Sequence, residues 1–192
     1  IGELRNSRID LISISGHKIY GPKGIGALIT KRRKYKTPPL EPLAVGGGQE
    51  RGLRPGTLPV PLIVGLGEAS RLAKENREER KKTCLDFRET LLTHFNPLEP
   101  RIHGAQDRCL PHVINLSFEE VNSEALMMAS QEYVALSNGS ACTSTSYTPS
   151  HVLEAMNLDE DSISGALRFS WCHMTPQPDW KGLIEEIKTL RN

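Results

Sequence analysis

"SISGHKIYGPKGIGALIT", Ser13–Thr30, is the stretch on which the fold turns. Just ahead of it and overlapping it, Ile9–Ser15 ("IDLISIS") is a short apolar run ending in small polar residues, the pattern of a buried strand. "GPKG" at Gly21–Gly24 signals a turn. "IGALIT" then reads as a second strand, so the two runs are expected to form a hairpin-like pair. Lys18 lies between them, just past the end of the first run. Open α/β sheets place their ligands in the crevice at such strand ends. An ordinary lysine amine, with a pKa of about 10.4, is protonated and a poor nucleophile. Burial or a second cation lowers that value and opens Schiff-base chemistry. Ser15 and His17 flank the lysine, and both can donate to a phosphate. From spacing alone, a surface lysine in a turn and a functional lysine fit equally well.

Working outward, "VGGGQERGLRPGTLP" (Val45–Pro59) carries three consecutive glycines, which reach backbone angles closed to other residues. Two arginines and Thr57 within it favour a shaped loop over a flexible linker. From Val60 to about Phe95 the period turns helical, with Ile63, Leu66, Ala69, Leu72 and Ala73 on one face, as one long helix or two joined ones. A boundary near Lys74 divides the chain into residues 1–74 and 75–192. Beyond it, "HVINLSF" (His112–Phe118) and "GALRFSWC" (Gly165–Cys172) read as strands, and "YVAL" (Tyr133–Leu136) as a short strand leading into the next loop. Asn122 or Ser123 caps a helix over "SEALMMASQE", Pro149 and Ser150 open another, and Thr175 caps a last one with Pro176 at its first position.

The totals narrow the classes. The chain has 192 residues, 38% of them hydrophobic, enough for a packed core. The net charge of +1 argues against a general nucleic-acid or membrane-surface protein. "KRRKYK" (Lys31–Lys36) reads as a solvated turn after a strand. No apolar run approaches the roughly 18 residues of a membrane helix, and "IGELRNSRID" lacks the apolar centre of a signal peptide. Ile1 is not a methionine, so residues are expected upstream. Four widely spaced cysteines, with no Cys-x-x-Cys pair, point to a reducing compartment such as the cytoplasm.

Cys142 lies in "SNGSACTSTS" (Ser137–Ser146), among small polar residues that build no core. A thiol reacts as its thiolate and must be reachable. This loop suits a sulfur that travels between a substrate and a partner, whereas a structural cysteine would sit among apolar neighbours. Cys84, Cys109 and Cys172 are weaker candidates, suited to core or incidental roles. A metal site built from Cys142, Cys172 and His173 lacks ordinary ligand spacing.

Together, "SGHKIYGPKGIGAL", "GGGQERGLRPGTLPV", "SNGSACTSTS" followed by "PSHVLEAM", and "ALRFS" resemble the class I cysteine desulfurases, the NifS/IscS-like branch of the class V aminotransferase family. The four motifs stand in family order over nearly the whole chain, and "SACTS" separates this group from class II, whose segment is shorter. The resemblance implies an α/β fold: the end of a fold type I large domain, then the small α+β C-terminal domain. It implies pyridoxal 5′-phosphate held by Lys18, with Ser15 and His17 on its phosphate. Thr57 would reach the phosphate of a neighbouring subunit, which makes a homodimer. Arg168 would grip the substrate carboxylate, where a planar fork serves better than lysine. Cys142 would take sulfur from L-cysteine as a persulfide, leaving L-alanine.

The sulfur would pass to an acceptor protein, an iron–sulfur scaffold or a sulfurtransferase, serving iron–sulfur cluster assembly, tRNA thiolation or DNA phosphorothioation. Cys142 is also conceivable as a transient ligand of a cluster; no resident metal, membrane or direct nucleic-acid partner is expected. Two other readings are a selenocysteine or cystine lyase, and a non-catalytic fragment that docks a sulfur acceptor. Members of this family are about twice this long. The resemblance therefore makes this chain the second half of such an enzyme, expected to be inactive without its amino-terminal half.

Overall fold

The computed structural model describes residues 8–34, 36, 38–138 and 150–191. They form two units divided between Arg77 and Glu78.

The first unit opens with β1 (Leu11–Ser15), a 3-10 turn over Gly16–Ile19, and β2 (Gly26–Thr30). The strands pair antiparallel, with Leu11 opposite Thr30 and Ser15 opposite Gly26, as the two apolar runs led one to expect. Alternation puts Leu11 and Leu28 on one face and Ile12, Ile14 and Ile29 on the other, so the ribbon is apolar on both sides. The glycine-rich segment is a shaped loop: it makes a 3-10 turn over Gln49–Gly52, and Gln49 Oε1 accepts from Gly56 N at 3.2 Å. Glu50 and Arg51 hold φ of 48° and 60° there, a left-handed conformation that side chains adopt at a cost. Helix α1 (Val60–Glu75) follows. It buries Ala69, half-buries Leu62, Leu66, Leu72 and Ala73, and leaves Ile63 exposed. The chain leaves helical geometry at Asn76 and resumes it in α2 (Arg77–Phe95), so the long helical period is two helices.

The second unit is an antiparallel sheet in the order β3-β4-β5, built from β3 (Arg101–His103), β4 (Val113–Ser117) and β5 (Leu167–Ser170). Its helices are α2, α3 (Ser123–Ala129), α4 (His151–Ala155), α5 (Glu160–Ser164) and α6 (Trp180–Leu190). The spacing of Cys84, Phe87, Leu91 and Phe95 gives α2 one apolar face, and Trp180, Leu183 and Ile187 do the same for α6. These residues cluster with Ile114 and Leu116 of β4, Leu167 and Phe169 of β5, and Leu126 of α3 in one core. Phe95 is its centre, fully buried and in edge contact with Phe118, Phe169 and Trp180.

Three local expectations are corrected. Tyr133–Leu136 is not a strand. Tyr133 and Val134 both donate to Ser130 O at 2.9 Å and continue the turn that ends α3; pairing resumes only at an isolated bridge between Ser137 and Arg168. The last helix is capped by Asp179, whose Oδ1 accepts from Lys181 N and Gly182 N, rather than by Thr175. Pro178 disfavours the α region for Gln177 ahead of it, so a helix cannot run through from Thr175. Thr175 Oγ1 instead accepts from Cys172 N at 2.9 Å. Helix α3 ends at Ala129, shorter than its pattern suggested; its cap is Asn122, which accepts from Glu124 N and Ala125 N.

Candidate active site

The residues Ser15, His17 and Lys18 fall at one place, the end of β1 and the 3-10 turn that follows it. The turn is tied to the hairpin by Gly16 N donating to Ile25 O at 2.8 Å, and closed by Gly21 N donating to Gly16 O at 2.9 Å. Gly16 is required there: a Cβ would lie 2.9 Å from Ile25 Cγ2 and 3.0 Å from Ile25 O. The following Gly21–Pro22 pair seats on small residues of α1. A Cβ on Gly65 would lie 2.5 Å from Pro22 Cγ, and Ala69 Cβ is 3.1 Å from where a Gly21 Cβ would stand. Two small side chains one helical turn apart therefore let the helix support the turn that carries Lys18.

Ser15 is half-buried in extended backbone and makes no capping bond, while His17 and Lys18 are exposed. Thr57 is exposed in the loop before α1, in the same unit. Arg168 belongs to the second unit, half-buried in the middle of β5. Its peptide N–H donates to Ser137 O at 2.6 Å, and Asn115 of β4 stands opposite it. Cys142 lies outside the described residues. Among the described residues, the side chains of Ser15, His17, Lys18, Thr57 and Arg168 make no hydrogen bond or ion pair. A hydroxyl, an imidazole and an amine within one turn, all uncommitted, are a donor set that fits a phosphorylated aldehyde: the oxygens of the phosphate can be bonded while the amine takes the carbonyl carbon.

The described thiols all belong to the second unit. Cys84 is buried in the core, where burial first and the nearby Cys172 second push its thiol up from the ordinary range. Cys109 is exposed, its thiol donating to Ala105 O at 3.2 Å. Cys172 Sγ accepts from Met174 N at 3.4 Å and Thr175 Oγ1 at 3.5 Å. Among the described residues, no group of three or more His, Cys, Asp or Glu could hold a metal ion, and no helix is long and apolar enough to cross a membrane.

Two residues that the sequence reading passed over share a sheet face with Arg168. The register sets His103, Asn115 and Arg168 in one row across β3, β4 and β5, on the face opposite Ile114, Leu116, Leu167 and Phe169. His103 is buried, its Nε2 3.0 Å from Ser117 Oγ, and burial holds the imidazole below its ordinary pKa. The available signal was the polar interruption of an apolar strand, Asn115 within "HVINLSF".

The aminotransferase class-V family profile matches residues 3–183. A mitochondrial cysteine desulfurase of Arthroderma benhamiae is 46% identical over 181 residues, 94% of this chain and 35% of that protein. The cysteine desulfurase IscS of Vibrio vulnificus is 43% identical over 187 residues, 97% of this chain and 46% of that one. The crystal structure of DndA from Streptomyces lividans matches with a TM-score of 0.69 and 45% identity, over 85% of this chain and 47% of that chain. The chain thus spans less than half the length of these relatives. With its profile running from residue 3 to residue 183 and its mixed α/β fold matching that of a solved relative, the chain belongs to the class-V aminotransferase family.

Proposed function

We propose that this chain is the C-terminal half of a pyridoxal-phosphate-dependent cysteine desulfurase. Residues 1–74 would complete the cofactor-binding domain, and residues 75–192 would form the small domain that carries the thiol loop. The reading rests above all on the uncommitted donors Ser15, His17 and Lys18 in one braced turn, in a chain 43% to 46% identical to proteins named cysteine desulfurase.

Ser15 and His17 hold the cofactor phosphate, and Thr57 donates to the phosphate in a neighbouring subunit. The outward apolar side chains of Leu43 and Val45 in the loop before Thr57 favour contact with a second copy. Lys18 Nζ anchors the cofactor and afterwards moves a proton at the substrate carbon. Pyridoxal phosphate, when bound, supplies the electron sink for that carbon. Arg168 holds the carboxylate of L-cysteine with two parallel N–H donors. The Cys142 thiolate attacks the substrate sulfur: an S–S bond forms as the C–S bond breaks. The electron pair of the broken bond stays with carbon, which takes a proton and leaves as L-alanine. The persulfide on Cys142 is then passed to a sulfur-acceptor protein, a scaffold or sulfurtransferase, in a reducing cytoplasm.

Two variants of the complete enzyme, upstream half included, test this. Lys18→Ala should lose the absorbance of bound cofactor, and Cys142→Ser should keep it while mass spectrometry after L-cysteine finds no added sulfur. Retained absorbance and turnover in the first, or a persulfide mapped to Cys84 or Cys109 in the second, would refute the assignment. Release of elemental sulfur with undiminished turnover in Cys142→Ser would favour a lyase instead.

A further inference from the structure

We infer that Asn115 is a positioning residue that aims the Arg168 guanidinium at the substrate carboxylate; the inference rests on the carboxylate role proposed for Arg168. The backbone of Arg168 is fixed on both sides, by the β4 ladder and by Ser137 O at 2.6 Å, so only its side-chain direction remains to be set. Directly opposite stands Asn115, on the same sheet face, where paired side chains are in mutual reach. Asn115 Oδ1 is buried without a hydrogen-bond partner. Among the described residues, the Arg168 guanidinium likewise has none. One group is an acceptor without a donor; the other carries five N–H donors and no acceptor. A carboxylate gripped by the fork uses two of those donors. A third is then available to Asn115 Oδ1, and that bond fixes the plane of the fork.

His103 does not compete for this role. Its Nε2 is 3.0 Å from Ser117 Oγ, and burial favours its uncharged form, which adds no positive charge beside Arg168. Asn115 therefore contributes orientation, and Arg168 alone contributes charge.

The test uses the complete, cofactor-loaded enzyme, with L-cysteine as substrate and L-alanine as a non-reacting carboxylate probe. Asn115→Ala should raise KM for L-cysteine about tenfold, the size expected for one hydrogen bond to a charged group, with kcat held within about twofold. Calorimetry should show L-alanine binding weakened by the same factor. Thermal stability should stay level or rise, because a buried unpaired acceptor is removed. Asn115→Asp should raise KM further than alanine, since a carboxylate there ties up the fork. Arg168→Ala should raise KM more than either, and adding Asn115→Ala to it should change nothing more. If Arg168→Ala raises KM and Asn115→Ala does not, the inference fails while the role of Arg168 stands. An unchanged KM in Arg168→Ala overturns both. A fall in melting temperature with KM unmoved makes Asn115 merely structural. Should the alanine variant not fold, Asn115→Ser, too short to reach the fork, is read the same way.

Discussion

Replacing Phe95 with alanine removes the ring at the centre of the second unit's core. The side chain is 0% exposed, and its ring meets Phe118 and Phe169 at 5.4 Å and Trp180 at 5.7 Å, all at steep angles. Phe→Ala in a packed core costs about 3–5 kcal/mol, and edge-to-face aromatic pairs add to what area burial alone gives. Three such partners put Phe95 near the upper end, about 5 kcal/mol. With a urea slope of about 1.5 kcal/mol/M, the unfolding midpoint should fall by about 3 M. The chain has two tryptophans, Trp171 and Trp180, and both lie in this core, so their fluorescence reports the second unit selectively. Leu28→Ala, at a side chain 54% exposed on β2, serves as control and should leave the tryptophan transition within about 0.5 kcal/mol. A midpoint shift under about 1 M for Phe95→Ala, at unchanged slope, would refute the packing that places β5 and Arg168.

Two further outcomes follow from titration and access. Burial lowers the pKa of His103 in the folded state, so the folded chain binds fewer protons there than the unfolded one. Its contribution is complete above the unfolded value of about 6.5 and is lost as pH falls through and below it. Melting temperature should therefore drop between pH 7.5 and 5, and His103→Gln should flatten that drop; an unaltered slope would exclude His103 as its source. With the thiols of the folded chain offered iodoacetamide and mapped by mass spectrometry, Cys109 should be alkylated and Cys84 spared until denaturant is added. Early labelling of Cys84 would mean that α2 opens readily.

The parts of the fold legible in the sequence are those in which one local signal dominates. The apolar runs around "GPKG" gave the β1–β2 pair, and the helical period from Val60 gave α1 and α2. Asn122 could be read as a cap because its side chain accepts from the next turn whatever the helix packs against. Where tertiary contacts decide, the sequence was silent or misleading. "YVAL" has the composition of a strand, yet Tyr133 packs against Gly182 of α6 and the segment stays a turn. Helix α5 is too short to show a period, although Asp159 capping Ser162 N marks its start. Within the site, the residues picked out were those in motifs. Asn115 escaped because its importance lies in a cross-strand register and a missing partner, neither of which a single strand displays.

The two units differ in what holds their functional groups. Arg168 stands on a strand whose other face is closed by Leu167 and Phe169, in a core drawn from two strands and three helices. Lys18 stands on a turn fixed by two backbone bonds and two small residues of α1, in a unit whose single buried apolar side chain among the described residues is Ala69. Leu28 and Ile29 lie on opposite faces of the hairpin and are 54% and 50% exposed. Each such side chain gains about 1.5–3 kcal/mol on full burial, and a two-stranded ribbon is marginal alone in water. A sheet apolar on both faces is built to be covered on both. A catalytic lysine has the same requirement, since its amine becomes a nucleophile when water is excluded around it. The geometry of the anchor turn is thus written into Ser13–Thr30, while its chemistry depends on the layers that cover β1 and β2. That dependence is why the roles proposed for Lys18, Ser15 and His17 are to be assayed in the complete enzyme, and why Arg168, set on a core of its own, can hold its position without those layers.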